Sequence, residues 1–425
     1  MTLAHSDRRS DSGLIERPPR PLTGPGRLRR DLGLLYAANG LIGLIFSATG
    51  PVAVILAVGT AGGLSPAELA SWIFGVFFLN GLLTVLACAL YRQPLAFFWT
   101  IPGTVLVGPA LAHLRWPEVV GAFFGTGLLM LALGLSGWVR RAMTAVPMPI
   151  VMGMVAGVFL RFGTDLVHAL RDDLVIAGPM VLAFLLFSVR PRGWAPPIIV
   201  ALLVGAVIVA LTGRFDPGPV TGQLLAAPVW PAPVWSTQAM VELVVPLAIT
   251  VLVVQNGQGV AVLRAAGHEA PINVVTIACG LWSLLAACVG AVSTCLTGPT
   301  NALLAASGER SRQYTAGICC GLLAIGFGLF APVFTRVLLA APPAFIAALA
   351  GLAMLRVLQA AFVTAFRTRF TLGALVTFVV TTANVSVLNI GAAFWGLLAG
   401  LTVSFLLERT DFAAAAAEPP APEAD

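Results

Sequence analysis

Apolar stretches long enough to cross a bilayer recur along this chain from residue 33 to residue 407. A spanning helix needs about 20 such residues. In hydrocarbon every backbone N–H and C=O must find its partner inside the structure, so repeated runs of this length dictate a bundle of helices. Composition agrees: 58% of residues are hydrophobic, 10% are charged and mean hydropathy is +0.95. Soluble domains carry about 25% charged residues. The fold class is an all-α polytopic membrane protein.

The spans number about fourteen, near residues 33–58, 67–90, 94–113, 118–137, 143–162, 174–189, 196–212, 239–263, 271–290, 291–307, 315–339, 343–362, 371–387 and 388–407. Charge tests the count. The net charge of +6 comes from Arg alone, since the chain has no Lys. With the N-terminus inside, the cytoplasmic loops carry eleven arginines: 92, 140, 141, 190, 192, 264, 310, 312, 367, 369 and 409. The opposite loops carry five: Arg115, Arg161, Arg171, Arg214 and Arg336. The positive-inside rule therefore predicts an even count, with both termini cytoplasmic. The basic balance belongs to topology, and no nucleic-acid partner is expected. The lipid bilayer is the surrounding partner. No cleavable signal is visible in the polar, Arg-rich start. The tail AAAAAEPPAPEAD is low in complexity and predicts disorder. The six Cys, at 88, 279, 288, 295, 319 and 320, read as small buried hydrophobes.

The two halves repeat. Pro51 and Pro246 lie 195 residues apart, as do Gly103 and Gly298, and Ala156-Gly157 precede Ala350-Gly351 by 194. Seven spans is an odd number, so the second copy enters from the other face. The expected architecture is a 7+7 inverted repeat, as in secondary transporters.

Polar groups where the bilayer centre belongs mark the candidate site. Spans three and ten each run from a short extended piece, Leu95 to Thr100 or Gly290 to Leu296, into a Gly/Pro break and a short helix. A half-helix starting in mid-membrane offers unpaired N–H groups and a positive dipole end. Two such ends face to face make an anion pocket. Thr100, Thr104, Thr297, Thr300 and Asn301 add donors there, with Gly103 and Gly298 at the breaks. The plainer reading is a kink in which each Thr bonds its own backbone. In span eight, Gln255 and Gln258 are three apart on one helix face beside Asn256. Packing glue between helices is the competing role for these amides. Glu242 is a carboxylate inside apolar span eight and a candidate proton carrier, against the role of a solvated interfacial Glu. Arg161 and Arg356 read as interface snorkellers closing spans five and twelve. Asn39 is a weaker candidate. Asn384-Val385-Ser386 matches a glycosylation sequon inside an apolar span and is discounted. No metal set, phosphate loop or nucleophile motif is visible. Neither an enzyme activity, a metal nor a cofactor is expected.

The stretch VVPLAITVLVVQNGQGVAVLRAAGHEAPIN resembles span eight of the benzoate:proton symporter (BenE) family. VPMPIVMGMVAGVFLRFG and PPAFIAALAGLAML are similar to its spans five and twelve, and RQYTAGICCGLLAIGFGLF to span eleven. Gln258 stands where the family pattern has Pro. The resemblance implies the fold of nucleobase and sulfate-type transporters, with spans three and ten part strand, part helix. It also implies a core of residues 33–137 and 236–340 and a gate of residues 138–235 and 341–409. These lie between an N-terminal arm, 1–32, and a tail, 410–425. The implied function is proton-coupled uptake of a small organic anion, an aromatic carboxylate such as benzoate, by a secondary active transporter of the bacterial inner membrane. The anion would sit between the two helix ends, touched by Gln255 and Asn256, with Phe98 against its ring. A nucleobase or inorganic-anion carrier of the same fold, an anion channel and a membrane scaffold are the alternatives. The span-eight Glu of nucleobase carriers is replaced here by the Gln255-Asn256 region, which argues against uracil-like substrates. The residues leave the oligomeric state open, a homodimer included.

Overall fold

The computed structural model describes residues 16–18, 24–139, 146–189, 197–215, 223–385, 387 and 392–417. Arg140, Arg141, Arg190 and Arg192, on which part of the charge bias rests, lie outside them. So do most of the N-terminal arm, Ser386 and the end of the tail.

Six helices are long and apolar enough to cross a membrane alone: Leu34–Ala61, Pro66–Tyr91, Trp116–Ser136, Met148–Asp172, Thr237–Ala265 and Pro343–Phe366. Arg310–Leu329 and Ala331–Leu339 form a further span bent by 69°. Six shorter apolar helices are Ile101–Ala110, Leu174–Ser188, Pro197–Leu211, Ile272–Cys288, Thr371–Ala383 and Ala392–Leu407. With the eight-residue helix Gly298–Ala305 they bring the described residues to fourteen segments, numbered here as spans one to fourteen in chain order.

Two spans differ from expectation. Span eleven is bent because Pro332 has no N–H to give and its ring crowds the carbonyl four residues earlier. Span five runs to Asp172, not to residue 162. Its polar second half stays helical, and Arg161 falls in mid-helix.

Spans three and ten each begin with a strand, β1 (Phe97–Trp99) and β2 (Thr294–Leu296). The strands pair antiparallel in the register Phe97↔Leu296, Phe98↔Cys295 and Trp99↔Thr294. Aromatic and β-branched residues favour this extended form. Two further bonds close the pair, Thr100 N–H to Ser293 O and Thr297 N–H to Ala96 O, both 3.1 Å. A two-stranded sheet leaves two outer edges, and in a dry interior these need partners. On β1, Thr84 accepts from Phe97 N–H at 2.9 Å and donates to its carbonyl at 3.1 Å. The Asn301 amide oxygen accepts from Ala96 N–H just ahead of it, at 2.8 Å. On β2, the Asn256 amide oxygen accepts from Leu296 N–H at 2.8 Å, and Ser283 accepts from Thr294 N–H at 2.9 Å. The Thr294 hydroxyl donates to Asn80 at 2.7 Å. Side chains of spans two, eight, nine and ten thus form the frame of the sheet.

Packing sorts the spans. Span two lies on span eleven, span four on span nine, and span one on spans ten and eleven. Span five lies on spans twelve and thirteen, span six on span seven, and span thirteen on span fourteen. Span twelve also meets span one. Near the start of the described chain, the Glu16 carboxylate accepts from the N–H groups of Asn273 and Val274 at 3.0 Å, capping span nine. All six cysteines are unpaired, and four are buried.

Candidate functional site

A cavity of about 820 Å³ lies where the strand pair meets spans one, five, six, seven, eight and twelve. One wall is polar. Span ten supplies Thr297 and Thr300, span eight supplies Gln255 and Gln258, and span one supplies Ser47 and Thr49. Ser47 Oγ and Thr300 Oγ1 are 3.3 Å apart. The remaining walls are apolar, with six aromatic side chains among them: Phe46, Phe98, Trp99, Phe159, Phe184 and Phe187. Phe77 backs two of these rings, its centroid 5.7 Å from that of Phe98 and 5.1 Å from that of Trp99, both edge-on. Such packing fixes the rings in place. Arg356, exposed and bonded to Gln359 Oε1 at 3.1 Å, adds a cation from span twelve.

The two half-helix ends differ. At span three, Thr100 accepts from Gly103 N–H at 3.0 Å and donates to Thr250 Oγ1 at 3.0 Å. Thr104 donates to the Thr100 carbonyl at 3.0 Å. Both threonines are fully buried and lie off the cavity, where span three shows Phe98, Trp99, Ile101 and Pro102. At span ten, Thr297 gives no side-chain cap. Its hydroxyl is buried, has no partner among the described residues and belongs to a residue on the cavity wall. The Trp99 indole N–H is also buried without a partner among the described residues. A polar atom in this position costs free energy until a ligand or water meets it.

The glycines shift register. The helices start at Ile101 and Gly298, each with Pro second, so Thr100 and Thr297 correspond at a spacing of 197. Gly103 and Gly298 are therefore not equivalent landmarks of the two ends. Each serves a close approach. A Cβ on Gly103 would stand 2.3 Å from Thr100 Cγ2, and one on Gly298 would stand 2.8 Å from Gln258 Cβ.

Of the residues singled out from sequence, Phe98, Gln255, Gln258, Thr297 and Thr300 come together around the cavity. Asn256 and Asn301 point at backbone: Asn256 also meets Cys279 Sγ, and Asn301 donates to Thr297 O. Asn39 donates to Leu35 O within its own helix. Span eight explains the arc of amides. Its backbone widens into π-helix over Thr250–Asn256, a distortion frequent at functional sites. Gln255 lines the cavity, while Asn256 bonds β2.

Glu242 is buried, not solvated. Its carboxylate meets His113 Nε2 at 2.9 Å, and its side chain is 4% exposed. It lines a second cavity of about 460 Å³, with Arg161 and Thr164 from span five and Thr381 from span thirteen. Arg161 and Arg356 are each the fourteenth residue of their helices, counting from Met148 and Pro343. Neither ends its span, and each lines a cavity. Sequence reasoning passed over them because an Arg after an apolar run resembles a snorkeller. Their spacing of 195 residues was the available signal.

With this geometry in hand, likeness to known proteins adds identity. The family model described as benzoate membrane transport protein (BenE) matches residues 33–406. The inner membrane protein YdcO of Escherichia coli is 29% identical over 369 residues, 85% of this chain and 93% of that protein. The benzoate membrane transport protein of Acinetobacter baylyi is 26% identical over 386 residues, 89% of this chain and 97% of that protein. The transmembrane domain of the cyanobacterial bicarbonate transporter BicA shares the fold, with TM-score 0.56 at 16% identity, over 87% of this chain and 98% of that one. The chain belongs to the family of benzoate membrane transport proteins, and it is a membrane transporter.

Proposed function

We propose that the protein carries a small aromatic carboxylate such as benzoate, coupled to protons, across the bacterial inner membrane. The carrying observation is the division of the 820 Å³ cavity into an aromatic wall and a polar wall. A benzoate-like anion has the same two parts. Its ring packs against Phe98, Trp99 and the phenylalanines of spans five and six. Its carboxylate meets the span-ten helix start, where the Thr297 hydroxyl and the helix dipole supply donors. Gln255 and Gln258 orient it with amide donors. Arg356 draws the anion in. Asn256 and Asn301 hold the frame instead of the substrate.

Spans one to four and eight to eleven form the core in this reading, and spans five to seven and twelve to fourteen the gate. The cavity lies between them, so sliding of one group against the other exposes it to each side in turn. A bicarbonate-sized anion would use the polar wall and leave the aromatic rings without purpose.

Counterflow in proteoliposomes loaded with benzoate, uracil or bicarbonate tests the proposal. Trans-stimulated exchange of labelled benzoate, with acid-driven accumulation, is expected. Exchange of uracil or bicarbonate alone, or flux without trans-stimulation, would sink it.

A further inference from the structure

The second cavity is the repeat-related counterpart of part of the first. Gly157, Val158 and Arg161 line it from span five, and residues 195 further on, Leu352, Ala353 and Arg356, line the first from span twelve. Glu242 lines the second, and its counterpart Ser47 lines the first. Spans five and twelve run in opposite directions across the bilayer, so the two cavities face opposite sides. The positive-inside orientation puts the second outside.

Their chemistry is not symmetric. Where the first cavity has Ser47 and Ala360, the second region has Glu242 and Asp165. Arg161 is held to Asp165 only loosely, 3.7 Å apart with side chains 58% and 44% exposed, an arrangement worth little in stability. A mid-helix arginine on a cavity is a functional position by default. An incoming carboxylate can replace Asp165 as its partner with better, bidentate geometry. A second donor waits beside it: the Thr381 hydroxyl is buried, without a partner among the described residues, and Thr381 lines the same space.

We propose that this second cavity is the outer loading site for the transported anion, with Arg161 and Thr381 as its ligands and the His113–Glu242 pair as the group that takes up a proton with it. The proposal rests on the anion-transport reading above. The Glu242 carboxylate, 2.9 Å from His113 Nε2, shares the cavity with the incoming anion. A proton taken up there from the outer solution offsets the charge that the anion brings, leaving Arg161 to hold it. Arg161 lines the same cavity as Glu242, and the charged pairs on the neighbouring spans are Arg161–Asp165 on span five, 3.7 Å apart, and Arg115–Glu118 at the start of span four, 3.5 Å apart. The first cavity lacks such a pair, so acid stimulation belongs to the side that His113 faces.

Initial-rate uptake of labelled benzoate by the full-length protein in right-side-out and inside-out vesicles tests this. Arg161→Gln is expected to raise the half-saturating concentration by about tenfold on the His113 side, the loss of one charge-assisted contact. The shift should be smaller on the other side, and Arg356→Gln should show the reverse. Arg161→Lys should recover part of the loss. Arg171→Gln, exposed further along the same helix, controls for expression and folding. Glu242→Gln should flatten the pH profile on the His113 side, with His113→Gln as a second variant for the same profile. Equal shifts on both sides for Arg161→Gln, or an unaltered pH profile in both pair variants, would overturn the proposal. A wild type that ignores benzoate refutes the substrate reading separately, and the same comparison is then made with bicarbonate.

Discussion

The two half-helix ends at the centre of the molecule hold matching places in the two repeats but do different work. The span-three end is closed on itself: Thr100 caps Gly103 and bonds Thr250, and Thr104 bonds Thr100. The span-ten end leaves the Thr297 hydroxyl beside the cavity without a partner among the described residues. Span three then offers the cavity its aromatic strand residues, and span ten its polar ones. The lesson is that a pair of dipoles in the sequence need not make a pair of ligands. Local capping decides which end is left for a substrate.

Four measurements would break or sharpen this contrast. Asn301→Ala should have the largest effect, because it strands the buried Ala96 N–H, and each such group costs about 1–3 kcal/mol. Thermal unfolding in detergent reads it, and a wild-type midpoint would remove Asn301 from the frame. Thr297→Val should follow, with half-saturating benzoate rising about tenfold, near 1.4 kcal/mol, and Thr297→Ser close to wild type in the uptake curve. If valine binds as well as threonine, the open end is not the anion's seat.

Thr100→Val should act on stability instead, losing about 1 kcal/mol of helix cap and shifting affinity less than the Thr297 change. The reverse order would exchange the roles of the two ends. The smallest effect belongs to His268, in the turn between spans eight and nine, with Nε2 2.7 Å from Gln313 Oε1. Burial is the main cause holding its pKa below the ordinary 6.5, and Arg310 lowers it further. The folded protein therefore resists protonating it while the unfolded chain does not. Stability should be full above pH 6.5 and fall as pH drops through that value. His268→Gln should remove that part of the slope in unfolding curves followed against pH.

Much of the fold was legible because hydrocarbon tolerates few solutions. Span count, repeat and the strand–helix form of spans three and ten follow from apolar length, Pro/Gly breaks and one recurrent offset. The site was legible in part. Gln255 and Gln258 share a face, and that spacing carried over to the cavity wall. Asn256 and Asn301 were misleading because an amide suits a ligand and a strand edge equally well. Only the pairing of β1 with β2 creates edges for them to satisfy.

The sequence by itself determined that the chain crosses the membrane many times, that its halves are inverted copies, and that spans three, eight and ten carry polar groups at depth. Those facts are local: they depend on runs, breaks and spacings along one strand of text. The tertiary structure decided which polar groups are already partnered, that Glu242 is buried against His113, and that Arg161 and Arg356 stand in mid-helix beside cavities. Partnership depends on what residues 100 or 200 positions away bring alongside, and a side chain's chemistry is set only after those neighbours have taken their hydrogen bonds.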